Sequence, residues 1–169
     1  MPGPVTSEAF SVEVSVHCEA WLAACPEAEA LARAAARAAL VHAEGKLAGA
    51  PLVLGLILTD DAEQRGLNRT YRGRDAATNV LSFALADPAA PSGAPVLLGD
   101  VVLAFATIER EAAEQKKQLA DHLRHLVVHG VLHLLGFDHV DAADATLMEE
   151  REVEILERLG VPDPYRATM

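Results

Sequence analysis

The stretch His129-Gly-Val-Leu-His133-Leu-Leu-Gly136-Phe-Asp138-His139 constrains this chain more than any other. Two histidines four residues apart in an apolar run lie one above the other on a single helix face. A metal ion can take one nitrogen from each. Gly136 follows where a helix that must stop and reverse commonly places a glycine in the left-handed conformation. The chain leaving that turn brings His139 back toward the same ion. Three neutral imidazoles with one position left for water describe a catalytic zinc site. Ligand softness alone admits nickel or cobalt as well.

The same spacing is the skeleton of the metzincin peptidase motif, which needs Glu directly after the first His as its general base. Here that position is Gly130. A zinc metallopeptidase therefore lacks its proton acceptor in this helix. Asp138 is the nearest other carboxylate. It reads as an orienting partner for a ligand histidine, as a base toward water, or as a turn residue after Gly136. One histidine on such a helix would be a core residue; three at ligand spacing point to metal. His125 and His122 extend the same face and read as hydrogen-bonded structural histidines.

At 169 residues and half apolar, the chain is sized for one domain with a real core, 1–169. Residues 1–9 and 161–169 read as flexible tails. Cys18 and Cys25 lie near no other ligand cluster and suit a reduced, cytoplasmic protein. No apolar run approaches a membrane span, so no membrane partner is expected. A net charge of −11 argues against nucleic acid. The charge is uneven, however. Residues 64–74 carry Arg65, Arg69, Arg72 and Arg74 and no acid, whereas 138–157 are dominated by Asp and Glu. A local basic patch on an acidic protein stays open.

Taken in order, residues 10–17 alternate as a half-buried strand. Residues 26–44 form an alanine-rich helix between Pro26 and Gly45. Residues 52–59 are continuously apolar, as in a strand covered on both faces. Strand, helix, strand favours a right-handed parallel crossover. Asp60 and its neighbours cap a helix over about 61–72. Two further strands, 79–86 and 96–105, flank a Pro- and Gly-rich loop at 87–95. One long helical region is expected from Thr107 to Leu135. A last amphipathic helix spans 141–159, with Leu147, Val153, Ile155, Leu156 and Leu159 facing the core. The fold class is α/β: a small, mostly parallel four-stranded sheet with one antiparallel strand, packed with helices, one of them a zincin-like metal helix.

Arg65, Arg69 and Arg72 fall at helical spacing, and guanidinium groups bind phosphate through paired hydrogen bonds. The plainer alternative is a solvated face. Asp75, Thr78 and Asn79 enter a strand where side chains fix turns. Asp100 interrupts an apolar strand and needs a partner if buried; an arginine from the basic stretch would serve.

These blocks resemble the YbeY-type bacterial endoribonucleases, also called rRNA maturation factors. His129 to His139 meets the signature H-G-x-L-H-L-x-G-(Y/F)-D-H. Leu67 to Phe83 meets L-N-x-x-(Y/F)-R-x-(K/R)-D-x-x-T-N-V-L-S-F, and Leu98-Gly99-Asp100 supplies a third block. The resemblance implies a metal-dependent endoribonuclease of single-stranded RNA. Its implied role is 3′-end maturation of the small-subunit rRNA precursor and ribosome quality control, beside ribosome-associated proteins. It implies His129, His133 and His139 as zinc ligands and Arg72 as the essential arginine, with Arg65, Arg69 and Arg74 as candidate phosphate contacts. A ribosome-assembly binding factor with a mainly structural metal is the other reading.

Overall fold

The computed structural model describes residues 10–42, 51–85, 96–137 and 141–166. In chain order these form β1 (Phe10–Val16), α1 (Ala20–Ala24), α2 (Ala28–His42), β2 (Leu52–Thr59) and α3 (Asp61–Arg72). They continue with β3 (Val80–Ala84), β4 (Val96–Ala104), α4 (Phe105–Glu114), α5 (Leu119–Leu134) and α6 (Ala142–Arg158). The sheet order is β1-β2-β4-β3. β1–β2 and β2–β4 are parallel and β3 runs antiparallel to β4, so β3 is an edge strand. This is the mostly parallel four-stranded α/β sheet that the sequence predicts. Gly45, the 87–95 loop, Asp138 and His139 lie outside the described residues, as do 1–9 and 167–169.

α2 and α5 pack against each other and against the sheet. Leu52, Leu54, Leu56 and Leu58 of β2 are buried in the core they form with Val101 and Leu103. The opposite face of β2 differs from expectation. Val53, Gly55 and Ile57 are only half-buried, because α3 covers that side in part. The uninterrupted apolar run therefore does not mean two covered faces here.

α5 comes unusually close to the sheet at Gly130. A Cβ there would sit 2.6 Å from Val101 Cγ1 and 3.2 Å from Ser82 Oγ. The Ser82 hydroxyl also donates to the Gly130 carbonyl at 2.9 Å. The missing side chain is thus a packing requirement, and it also excludes a carboxylate from the metzincin base position.

The long helical region is two helices. The chain turns at Gln115–Gln118, with Lys116 at φ 56°. The Lys117 amide closes the end of α4 on the Ala112 carbonyl, a pattern usually built on glycine. With lysine in that place, composition carries no stop signal. α5 ends as predicted: Gly136 has φ 100° and the Phe137 amide closes on the Leu132 carbonyl.

On α6, Leu147 is exposed and Met148 takes the inward place beside Ile155 and Leu156. The following segment, 161–166, is not a loose tail. Val161 is buried in the core, and the Lys117 ammonium donates to the Pro164 carbonyl at 2.9 Å.

Gly130→Ala overpacks the α5–sheet contact, at a cost of about 1–3 kcal/mol that exceeds the roughly 1 kcal/mol gained in helix propensity. Gly66, on α3, has nothing within 4 Å of a built Cβ, so Gly66→Ala keeps only the gain. Thermal melts should fall for Gly130→Ala and rise for Gly66→Ala. A Gly130→Ala protein as stable as the parent contradicts the close-approach account.

Candidate functional site

One face of α5 carries His122, His125, His129 and His133 in succession. Their ring centroids are 6.2, 6.4 and 4.7 Å apart from each to the next. A buried imidazole needs a polar partner. His122 Nε2 meets Glu111 Oε1 at 2.9 Å, and the same carboxylate accepts from the Asn79 side-chain amide. Burial holds the His122 imidazole below its ordinary pKa, against the raising effect of Glu111. His125 Nε2 meets Glu152 Oε1 at 2.6 Å, and His129 Nδ1 meets Glu152 Oε2 at 3.2 Å. His122 and His125 are thus the hydrogen-bonded structural histidines that the pattern predicts.

Glu152 is completely buried, and the Tyr165 hydroxyl donates to its Oε1 at 2.7 Å. Burial alone would raise its pKa. The hydrogen bonds from His125 and His129 outweigh that and hold it down at about 2. Burial and the neighbouring Glu152 charge push the Tyr165 phenol up, so it stays a donor. One ionised carboxylate therefore fixes two rings of the α5 stripe. Carboxylates in this position orient metal-ligating histidines and select their tautomer.

Sequence reasoning missed this residue. Glu152 sits in an acidic run that reads as a solvated face. The available signal was its position: Met148, Glu152, Ile155 and Leu156 share the inward stripe of α6. Asp138, the carboxylate nominated instead, lies outside the described residues.

His129 and His133 open onto a cleft of about 400 Å³ that Arg72, Asn79, Val80 and Ser82 also line. Arg72 occupies the last turn of α3. Its guanidinium donates to the Ser82 carbonyl on edge strand β3 and lies 5.2 Å from the centre of the Phe83 ring. Among the described residues it makes no ion pair with Asp100, although both line a second cleft on the α3 side of the sheet. Gln64 braces the wall. Its amide donates to the Val102 carbonyl at 3.0 Å, and its oxygen accepts from the Thr78 amide at 2.8 Å. Asn79 fixes the entry to β3 with its own side chain, whose oxygen accepts from the Val80 amide at 2.6 Å, whereas Thr78 takes part through its backbone amide, held by Gln64.

The other arginines are placed differently. Arg65 forms a two-pronged pair with Asp75, at 2.7 and 3.1 Å. That fork raises the Arg65 pKa and lowers the Asp75 carboxyl. Arg65 is thus engaged within α3 and its following turn. Arg69 and Arg74 are exposed near the same helix end. His139 lies outside the described residues, and among those described no group of three metal-ligating side chains assembles. No described helix is long and apolar enough to cross a membrane.

Comparison with known proteins places this geometry in a family context. The family model described as endoribonuclease YbeY matches residues 20–160. A Paramagnetospirillum magneticum protein named endoribonuclease YbeY is 51% identical over 92% of this chain and 96% of its own length. One of the same name from Chelativorans sp. is 42% identical over 96% and 98%. The solution structure of a Thermotoga maritima protein has the same fold, with a TM-score of 0.55 at 22% identity over 92% of this chain and 96% of that one.

Glu152→Ala strands His125, His129 and Tyr165 in the interior and should cost about 3–5 kcal/mol, as expected when a buried charged partner is removed. Glu152→Gln preserves shape and one acceptor and should cost less. Urea melts of both variants check this. A Glu152→Ala domain with parental stability contradicts the network.

Proposed function

The chain belongs to the YbeY endoribonuclease family, and on that premise we propose that it hydrolyses phosphodiester bonds of single-stranded RNA. The proposed substrate is the 3′ end of the small-subunit rRNA precursor, in the cytoplasm, beside ribosome-associated proteins during ribosome quality control. The observation that carries this reading is the cleft that brings Arg72 together with His129 and His133.

The donor set fits a divalent ion, zinc first. His129 and His133 are one helical turn apart with rings 4.7 Å between centres. With Nδ1 of His129 bound to Glu152, Nε2 is the atom that would ligate. His139, three residues past the Gly136 turn, would complete the set. Nitrogen ligation also accepts nickel or cobalt. A bound ion would supply Lewis acidity to water and to a phosphoryl oxygen.

The chain's own residues do the rest. Arg72 is held at one end of its fork by the Ser82 carbonyl, lines the cleft, and has further N–H donors to offer a phosphate there. There it would neutralise charge developing on the scissile phosphate. Arg69 and Arg74 would add affinity along the backbone with little effect on rate. A peptidase reading is disfavoured by Gly130, because Val101 occupies the space that a catalytic carboxylate would need.

Two outcomes are expected. Arg72→Ala should lower single-turnover RNA cleavage by about 10²–10³-fold, the usual loss for one charge-stabilising donor, with metal content and melting temperature near the parent. Arg72→Lys keeps charge without the two-pronged geometry and should recover part of the rate. A large loss of stability, with activity falling only as the folded fraction falls, defeats the catalytic role. Separately, elemental analysis should find about one divalent ion per chain. That content should drop in each of His129→Ala, His133→Ala and His139→Ala. Full occupancy in all three defeats the ligand assignment.

A further inference from the structure

Edge strand β3 separates two clefts. The first holds His129 and His133. The second, of about 410 Å³, lies on the α3 side of the sheet and is lined by Tyr71, Phe83, Leu85 and Asp100. Arg72, Ser82 and Ala84 line both, so the two adjoin at the strand. Tyr71 and Phe83 meet edge to face with ring centres 5.8 Å apart. Tyr71 is nonetheless 71% exposed and Leu85 57% exposed. Arg72 lies between the clefts, over the Phe83 ring.

We propose that this second cleft is a nucleobase subsite, which stacks one base of the single strand on Tyr71 while Arg72 holds the adjoining phosphate. The proposal rests on the RNA-cleaving reading and extends it to how the strand is held. Three features favour a base over other occupants. An exposed aromatic ring beside a guanidinium is a stacking platform for an unpaired base. The Asp100 carboxylate in the same cleft repels phosphate but accepts hydrogen bonds from base amino groups. Arg72, shared by the two walls, puts base and phosphate of one strand in adjoining sites. A base held in a duplex stack cannot enter a cleft of this kind, so the subsite also accounts for a single-strand requirement.

The test is fluorescence anisotropy with full-length, metal-loaded protein. The probe is a short labelled all-deoxy strand, which lacks the 2′-hydroxyls that mark the RNA substrate of an endoribonuclease. A matched series carries one abasic nucleotide walked along the strand. Tyr71→Ala should weaken binding of the complete strand by about 5- to 150-fold, the range for one stacked base, with an unchanged melt. Tyr71→Trp should bind at least as well as the parent. In one register, the abasic strand should bind the parent more weakly by a similar factor and show no further loss with Tyr71→Ala. Unchanged binding by Tyr71→Ala overturns the proposal. Equal weakening of every abasic strand by Tyr71→Ala also overturns it. Failure of the parent to cut RNA is a separate result, read on a different substrate, and tests the endoribonuclease reading alone.

Discussion

The buried Glu152 carboxylate is the interaction on which the site depends. A charge with no exposure survives inside a domain only if each of its oxygens has a donor. Here the donors come from three parts of the chain: His125 and His129 on α5 and Tyr165 in the C-terminal segment. The requirement works in both directions. The carboxylate needs the rings, and the rings are thereby held in one orientation and one tautomer. α5, α6 and residues 161–166 are locked together at the level of the two described candidate ligands.

The second constraint is closeness. Gly130 lets α5 lie against Val101 and Ser82, and Ser82 in turn binds the Gly130 carbonyl with its hydroxyl and Arg72 with its carbonyl. A single edge-strand residue therefore joins the histidine helix to the end of the arginine helix. The histidine side of the cleft is set by close backbone packing at Gly130, and the arginine side by a guanidinium held on a backbone carbonyl. Such rigidity is what positioning a phosphate between a guanidinium and a Lewis acid demands. The protein can be acidic overall because the basic groups that matter are few and local.

Much of this is legible in the sequence where one periodicity dominates. The four-residue spacing of His129 and His133 defines a helix face, Gly136 marks its end, and Arg72 falls on the last turn of a helix opened by Asp60. Four things are hidden, each for a physical reason. The break between α4 and α5 is made by Lys116 in a left-handed conformation, a place where glycine would have announced it. Glu152 is one acid in an acidic run, and only its place on an apolar stripe distinguishes it. Tyr165 follows a Pro-containing end that resembles a tail, yet its hydroxyl reaches the interior because Val161 anchors the segment. The half-open face of β2 is hidden too, since an apolar run does not reveal how much of it a single short helix covers.

The central claim is that this cleft cuts single-stranded RNA with the help of a bound divalent ion. The most direct measurement is cleavage of a single-stranded fragment from the small-subunit rRNA 3′ precursor by purified, metal-loaded protein, with and without chelator. The account predicts internal cleavage by the loaded protein, loss of products once elemental analysis shows the ion removed, and return of products when zinc is restored. Undiminished cleavage by verified metal-free protein, or no cleavage by fully loaded protein, would contradict it.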